Sequence, residues 1–294
     1  SFPCCMTAAP AVRTRLNVLF ASEARTAVIL RRGPKTHWHL VLWDLAADTF
    51  TPGQWMKGLV RLCDLSPSGD KLIYWAAQYH GSANWRRPNA QRATGPGPYD
   101  PLRSATPLKL KPGRKVPRYL QGSLGPRRGA AQPVTGTWTA VSTPPYFSAL
   151  AIWPAFGHWS GGGAFLSDRD LCIYDPQDRM EPIANVGLPP RVRARSHLAP
   201  SLSKVAAMRR SASGPNIKVT LDPEAMARNG ITWFEFAHAL SDEELVFACD
   251  GRIYRLRGWR DLPADRYFAE ATLLADLNGD RFQLLQAPPE AMRW

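Results

Sequence analysis

Apolar residues in this chain come in short runs separated by clusters of Gly, Pro, Ser, Asp and Asn, the pattern of strands joined by tight turns. The run from His37 to Ala77 reads most clearly. Leu40-Val41-Leu42-Trp43-Asp44-Leu45 forms an apolar strand closed by Ala46-Ala47-Asp48, and Thr49-Phe50 begins a return strand. Further on, Leu62-Cys63-Asp64-Leu65 enters the turn Ser66-Pro67-Ser68-Gly69-Asp70, where Pro fixes φ and Gly permits a positive φ. Lys71 to Ala77 is then a strand with no polar face, expected to be covered on both sides. Before this run, Leu16 to Ala21 and Thr26 to Leu30 read as two strands joined by the polar turn Ser22-Glu23-Ala24-Arg25, while residues 1–15 show no periodicity and are read as an N-terminal tail.

The same grammar returns further along. Trp138-Thr139-Ala140-Val141 and Phe147 to Trp153 are strands, and Gly161-Gly162-Gly163 requires positive φ or a close backbone approach before Ala164-Phe165-Leu166. Leu171 to Asp175 places Tyr174-Asp175 where Trp43-Asp44 stood. Leu198 to Ala206 aligns without gaps on Leu65 to Ile73, and Leu240 to Phe247 is a shorter copy of the same element. Asp250-Gly251 is a two-residue hairpin signal between Leu245-Val246-Phe247-Ala248 and Ile253-Tyr254-Arg255-Leu256. Leu274 to Phe282 repeats the apolar and acidic spacing of Leu42 to Phe50. Only short helices are expected: Asp222 to Gly230 has an N-cap, a Pro at the first helical position and a Gly stop, and Pro289 to Met292 makes one turn.

A strand ending in Trp43-Asp44, then a Leu65-Ser66-Pro67-Ser68-Gly69 turn and a strongly apolar strand, resembles the blade junction of WD-repeat and TolB-type β-propellers. The resemblance is to blade grammar and covers about half the chain in scattered pieces; only one true Trp-Asp dipeptide is present and no Gly-His element precedes it. It implies an all-β fold, an irregular β-propeller over residues 16–294 interrupted by an insertion at 83–136. With roughly 230 residues left after the insertion and the tail, and about 40 to 45 per blade, about five blades are expected.

Composition changes this picture in one place. The 294 residues carry a formal charge of +13. Between Ala83 and Pro133 stand eleven basic residues, Arg86, Arg87, Arg92, Arg103, Lys109, Lys111, Arg114, Lys115, Arg118, Arg127 and Arg128, against the single acid Asp100, so this segment supplies +10 of the total. Its few aliphatics cannot bury enough surface to offset the entropy of ordering it. Trp85, Tyr99 and Tyr119 are interleaved with the cations, a mix suited to pairing phosphates and stacking bases; engaging about six phosphates would cost about a thousandfold in affinity between 50 and 200 mM salt. The bland alternative is a solubilising loop or one that docks on an acidic partner.

Other candidates for chemistry are weaker. His37 and His39 lie two apart on a strand and share a face, but no third metal ligand accompanies them, and packed or surface histidines are the expected reading. The stretch His158 to Gly163 lacks the Gly-x-Ser-x-Gly elbow that an esterase would need elsewhere in the chain. Asp44, Asp64, Asp175, Asp242, Glu243, Asp250 and Asp276 fall mostly at turns and strand ends, where carboxylates cap backbone amides. The odd count of five cysteines, Cys4, Cys5, Cys63, Cys172 and Cys249, shows no paired metal-ligand spacing, so buried reduced thiols and a cytoplasmic protein are expected. No run of apolar residues is long enough for a membrane helix, and no signal peptide is read at the N-terminus.

These features point to a non-catalytic scaffold that engages a protein partner without a cofactor or a metal. The alternative is nucleic-acid binding through residues 83–133, with Trp85 and the eleven cations as contacts. A second alternative is a hydrolase with carboxylates in a central funnel.

Overall fold

The structure, a computed structural model, describes residues 14–33, 37–77, 137–154, 161–174, 184–185, 191–195 and 222–294. The expected all-β class holds there: sixteen strands form four sheets, most of them antiparallel, with only short helical turns. No described helix is long and apolar enough to cross a membrane. The twelve cationic and aromatic residues singled out between Trp85 and Arg128 lie outside the described residues.

The first sheet is a meander of β1 (Arg15–Phe20), β2 (Thr26–Arg32), β3 (His37–Asp44) and β4 (Thr49–Lys57). The second contains β5 (Leu59–Leu65), β6 (Leu72–Ala77), β7 (Thr137–Ser142) and β8 (Ala149–Pro154), joined at its edge by β11 (Ala184–Asn185). The third has β9 (Gly163–Ser167), β10 (Asp170–Tyr174) and β12 (Arg191–Arg195), the last parallel to β10. The fourth is again a meander, β13 (Phe234–Ala239), β14 (Glu244–Cys249), β15 (Arg252–Arg257) and β16 (Thr272–Asp276). Two α-helical turns, α1 (Pro223–Arg228) and α2 (Tyr267–Glu270), accompany the fourth sheet.

Strand alternation decides how the sheets stack. On β2, Val28 and Leu30 enter one apolar cluster with Leu62, Leu72 and Tyr74 of the second sheet. Their neighbours Ala27 and Ile29 face the other way, into a cluster with Val246, Ala248 and Ile253 of the fourth. The second sheet repeats the device: Tyr74 and Ala140 point to the first sheet, Ile73 and Val141 to Phe165, Leu171 and Ile173 of the third. This is why β2 and β6 have no polar face. The sheets therefore pack face to face in the order fourth, first, second, third, each inner face taking every second residue.

Leading strands are also neighbours: β1 lies against both β5 and β13, and β5 against β9. The turns after them are hydrogen-bonded in the same order. Glu23 N donates to Pro67 O at 3.0 Å, Ser68 N donates to Asp168 Oδ1 at 2.9 Å, and the Arg25 guanidinium donates to Glu244 Oε2 at 3.2 Å. The Ser66 to Asp70 turn thus sits between the first two strands of its sheet, with Gly69 at φ +82°, and Trp43-Asp44 ends a third strand.

Several finer expectations are met. Asp250 and Gly251 both have positive φ in the β14–β15 turn, and Asp222 accepts from the amides of Glu224 and Ala225 at the start of α1. Gly162 has φ +100°, and a Cβ on Gly163 would overlap the Cys172 carbonyl, so the glycine run answers both requirements.

Two expectations are corrected. Tyr174 ends the second strand of its sheet in chain order, unlike Trp43, because β9 directly precedes β10. The Leu274 to Phe282 copy does not return as a strand either: β16 is the last strand of its sheet, and Leu277 onward leaves it to cross the first sheet. The Leu198 to Ala206 copy lies outside the described residues.

Candidate functional site

The described polar side chains concentrate where the C-terminal segment after β16 lies on the first sheet. Arg31, near the end of β2, is 2% exposed. Its Nε donates to Leu277 O, and its terminal nitrogens donate to Gly33 O and to Asn278 O at 3.2 Å. One guanidinium thereby satisfies three carbonyls and fixes the departing chain, a use of the planar five-donor fork that lysine could not make. Burial pulls the Arg31 pKa down from its ordinary value and Asp280 opposes that effect.

Beside it, His39 of β3 stacks on Trp55 of β4, ring centroids 4.3 Å apart and planes 2° from parallel. Its Nδ1 lies 3.1 Å from Asp280 Oδ2, and that carboxylate is 3.9 Å from Arg31 Nε. The Arg31 guanidinium lies over the same indole at 5.4 Å. Phe282 meets both His37 and Trp55 edge-on. The two histidines do share a face, as the alternation requires, but they contact aromatic rings and a carboxylate. Among the described residues no three His, Cys, Asp or Glu side chains come together as a metal site.

Beyond Asp280 the chain runs exposed from Arg281 to Gln286, with Phe282 at 44% and Leu284 at 63%. It is anchored again where Gln54 Nε2 donates to Leu285 O at 3.0 Å, and finally where Trp294 packs on the cluster between the second and third sheets, with Lys71 Nζ 5.6 Å from its ring. Between this segment and β4 lies a cleft of about 400 Å³, walled by His39, Pro52, Trp55, Asp280, Arg281, Gln283 and Leu285.

The acids singled out in the sequence serve the framework. Asp44 accepts from the amides of Ala46 and Ala47, and buried Asp64 from Phe165 N at 2.7 Å. Asp250 holds Thr232, Asp276 holds Arg252 and Asn278, and Asp242 pairs with Arg260. Asp175 lies outside the described residues. Cys63, Cys172 and Cys249 are free thiols, and burial pushes the pKa of Cys63 and Cys249 up, which disfavours their thiolate form.

A second polar spot was not foreseen. Glu235 on β13 has its carboxyl pushed up to about 7, chiefly by burial and also by Asp250, against the opposing Gly251 amide and Arg15. Neither Arg31, Trp55, Asp280 nor Glu235 carried a sequence signal. Each stands next to ordinary strand or turn residues; Arg31 and Asp280 act through contacts more than two hundred residues away, Trp55 through a ring stacked from the neighbouring strand, and Glu235 through its burial beside the β14–β15 turn.

The basic segment is located only through its ends. β6 and β7 pair with Ala77 opposite Thr137, so residues 78–136 leave and re-enter the second sheet at one point. No family model, curated protein or solved structure matches the chain.

Proposed function

We propose that this chain is a non-catalytic β-propeller scaffold whose task is to hold a macromolecular partner, in the cytoplasm. The observation that carries the reading is the contrast at the C-terminal segment. His39 pairs with Asp280 and the other acids described above bind arginines or backbone amides, whereas Arg281 to Gln286 stand exposed with three large apolar side chains. Exposed apolar side chains bordered by charge are characteristic of binding surfaces. The propeller itself is supported by three features: sheets stacked face to face, leading strands side by side, and first turns hydrogen-bonded in sequence. About five blades remains the proposed count, beyond the four described sheets.

The test is capture of partners by the intact chain from native extract, with and without nuclease, read by mass spectrometry and nucleic-acid staining. A defined protein retained after nuclease is the expected result. Bound nucleic acid, with proteins lost after nuclease, would overturn it in favour of binding through residues 83–133.

A further inference from the structure

We infer that the exposed C-terminal segment and the cleft beside it form a docking groove for an acidic, apolar linear segment of a protein partner. The inference rests on the scaffold reading and specifies where the partner sits.

Three observations carry it. First, the segment is fixed at both ends, and between them Phe282 rests edge-on against His37 and Trp55. The Arg31 fork and the His39–Asp280 contact fix one end, and the Gln54 bond to Leu285 O fixes the other. A surface already ordered loses little entropy on binding. Second, the exposed stretch alternates, with Arg281 and Gln283 lining the cleft, Phe282 partly exposed with its edge against Trp55, and Leu284 63% exposed. The cleft is large enough, at about 400 Å³, for one or two apolar side chains against Trp55 and Pro52. Third, the surroundings are cationic. Lys57 and Arg281 are exposed, and Lys57 lies two residues beyond Trp55 on the same strand. The acid at the rim, Asp280, is already engaged by His39 and Arg31. Carboxylates flanking an apolar anchor match this distribution; a basic segment would meet two cations and an occupied carboxylate. Nucleic acid would satisfy the cations but leave Phe282, Leu284 and Leu285 in water.

The experiment uses the full chain and a fluorescein-labelled peptide of alternating Asp and Leu, with an alternating Lys and Leu peptide as its counterpart, both read by anisotropy. The acidic peptide should bind and the basic one should not. R281E should weaken binding at least about fivefold and Phe282→Ser or Leu284→Ser by about tenfold, as expected for a rim charge and for apolar anchors. Arg281 and Leu284 are exposed, so unchanged thermal melts should accompany the losses at these two positions. Reversing Arg114, Lys115 and Arg118 to Glu controls for the basic segment and should leave affinity within about twofold.

The groove is overturned if the acidic peptide fails to bind, if it binds equally to R281E and Leu284→Ser, or if only the triple reversal abolishes binding. It is also overturned if an oligonucleotide displaces the peptide, or if Phe282→Ser acts by dissociating a dimer of this chain. Should the groove fail while native capture still yields a protein partner, the scaffold reading stands and the partner binds elsewhere.

Discussion

The first sheet has two joints, and they are built differently. Towards the second sheet its centre is apolar, where Val28, Leu30, Leu40 and Met56 meet Leu62, Leu72, Tyr74 and Trp138, and buried Gln54 beside it accepts from the amides of Phe147 and Ser148. Towards the fourth sheet the centre is also apolar, around Trp43, Val246 and Ile253, but two buried arginines frame it. Arg31 clamps the chain leaving β16 at one end. At the other, Arg255 donates to Leu45 O at 3.0 Å and lies 2.8 Å from Asp48 and 3.5 Å from Glu244. The apolar centre of the first joint needs only hydrophobic residues of suitable size, and its neutral glutamine carries no charge. The framed joint also fixes register and direction, because a fork that must meet particular carbonyls tolerates no slip.

Breaking the comparison is most direct at Arg31. Replacing it with Met keeps bulk but leaves three carbonyls without their donor and Asp280 without the neighbouring cation, and should cost about 4 kcal/mol in denaturant unfolding. Leu40→Ala, at the apolar joint, should cost about 3 kcal/mol, with no dependence on salt or pH. Arg255→Met should cost about 2 kcal/mol, less than Arg31 because Asp48 and Glu244 keep partial access to water.

Glu235 sharpens the contrast through pH. Its folded pKa of about 7 lies above its ordinary value of 4.5, so the folded protein binds the extra proton between these values. The stabilisation is complete below about pH 4.5 and is lost as pH rises through about 7. At a half-buried site, after discounting for screening by solvent, this amounts to about 1 kcal/mol. Glu235→Gln should flatten the stability profile over that window, measured as denaturation midpoint against pH. Smallest of all, Leu284→Ser should change stability by less than about 0.5 kcal/mol while impairing peptide binding.

What the sequence disclosed follows the same division. β2, β3 and β6 were readable because their alternation and turn residues are local, and so were the Asp250-Gly251 hairpin and the caps of α1. The stacking order of sheets follows from the same alternation once the strands are placed. Arg31 was not readable, since Leu30-Arg31-Arg32 looks like an apolar strand ending in solvent; only the return of Leu277 and Asn278 buries the guanidinium. Asn278-Gly279-Asp280 misled for a related reason. Its spacing copies a strand-to-strand turn, but the next strand of a meander needs a free edge to pair with, and the chain instead meets Arg31 and His39. The groove was hidden because Phe282 occupies in that copy the place of Phe50, where a return strand begins.

The most direct measurement is amide hydrogen exchange on the intact chain and on Arg31→Met. If the framed joint depends on the arginine clamp, protection should fall in residues 277–294 and in β13 to β16 while β5 to β8 keep theirs. Equal loss throughout β5 to β8, or unchanged protection in 277–294, would contradict it.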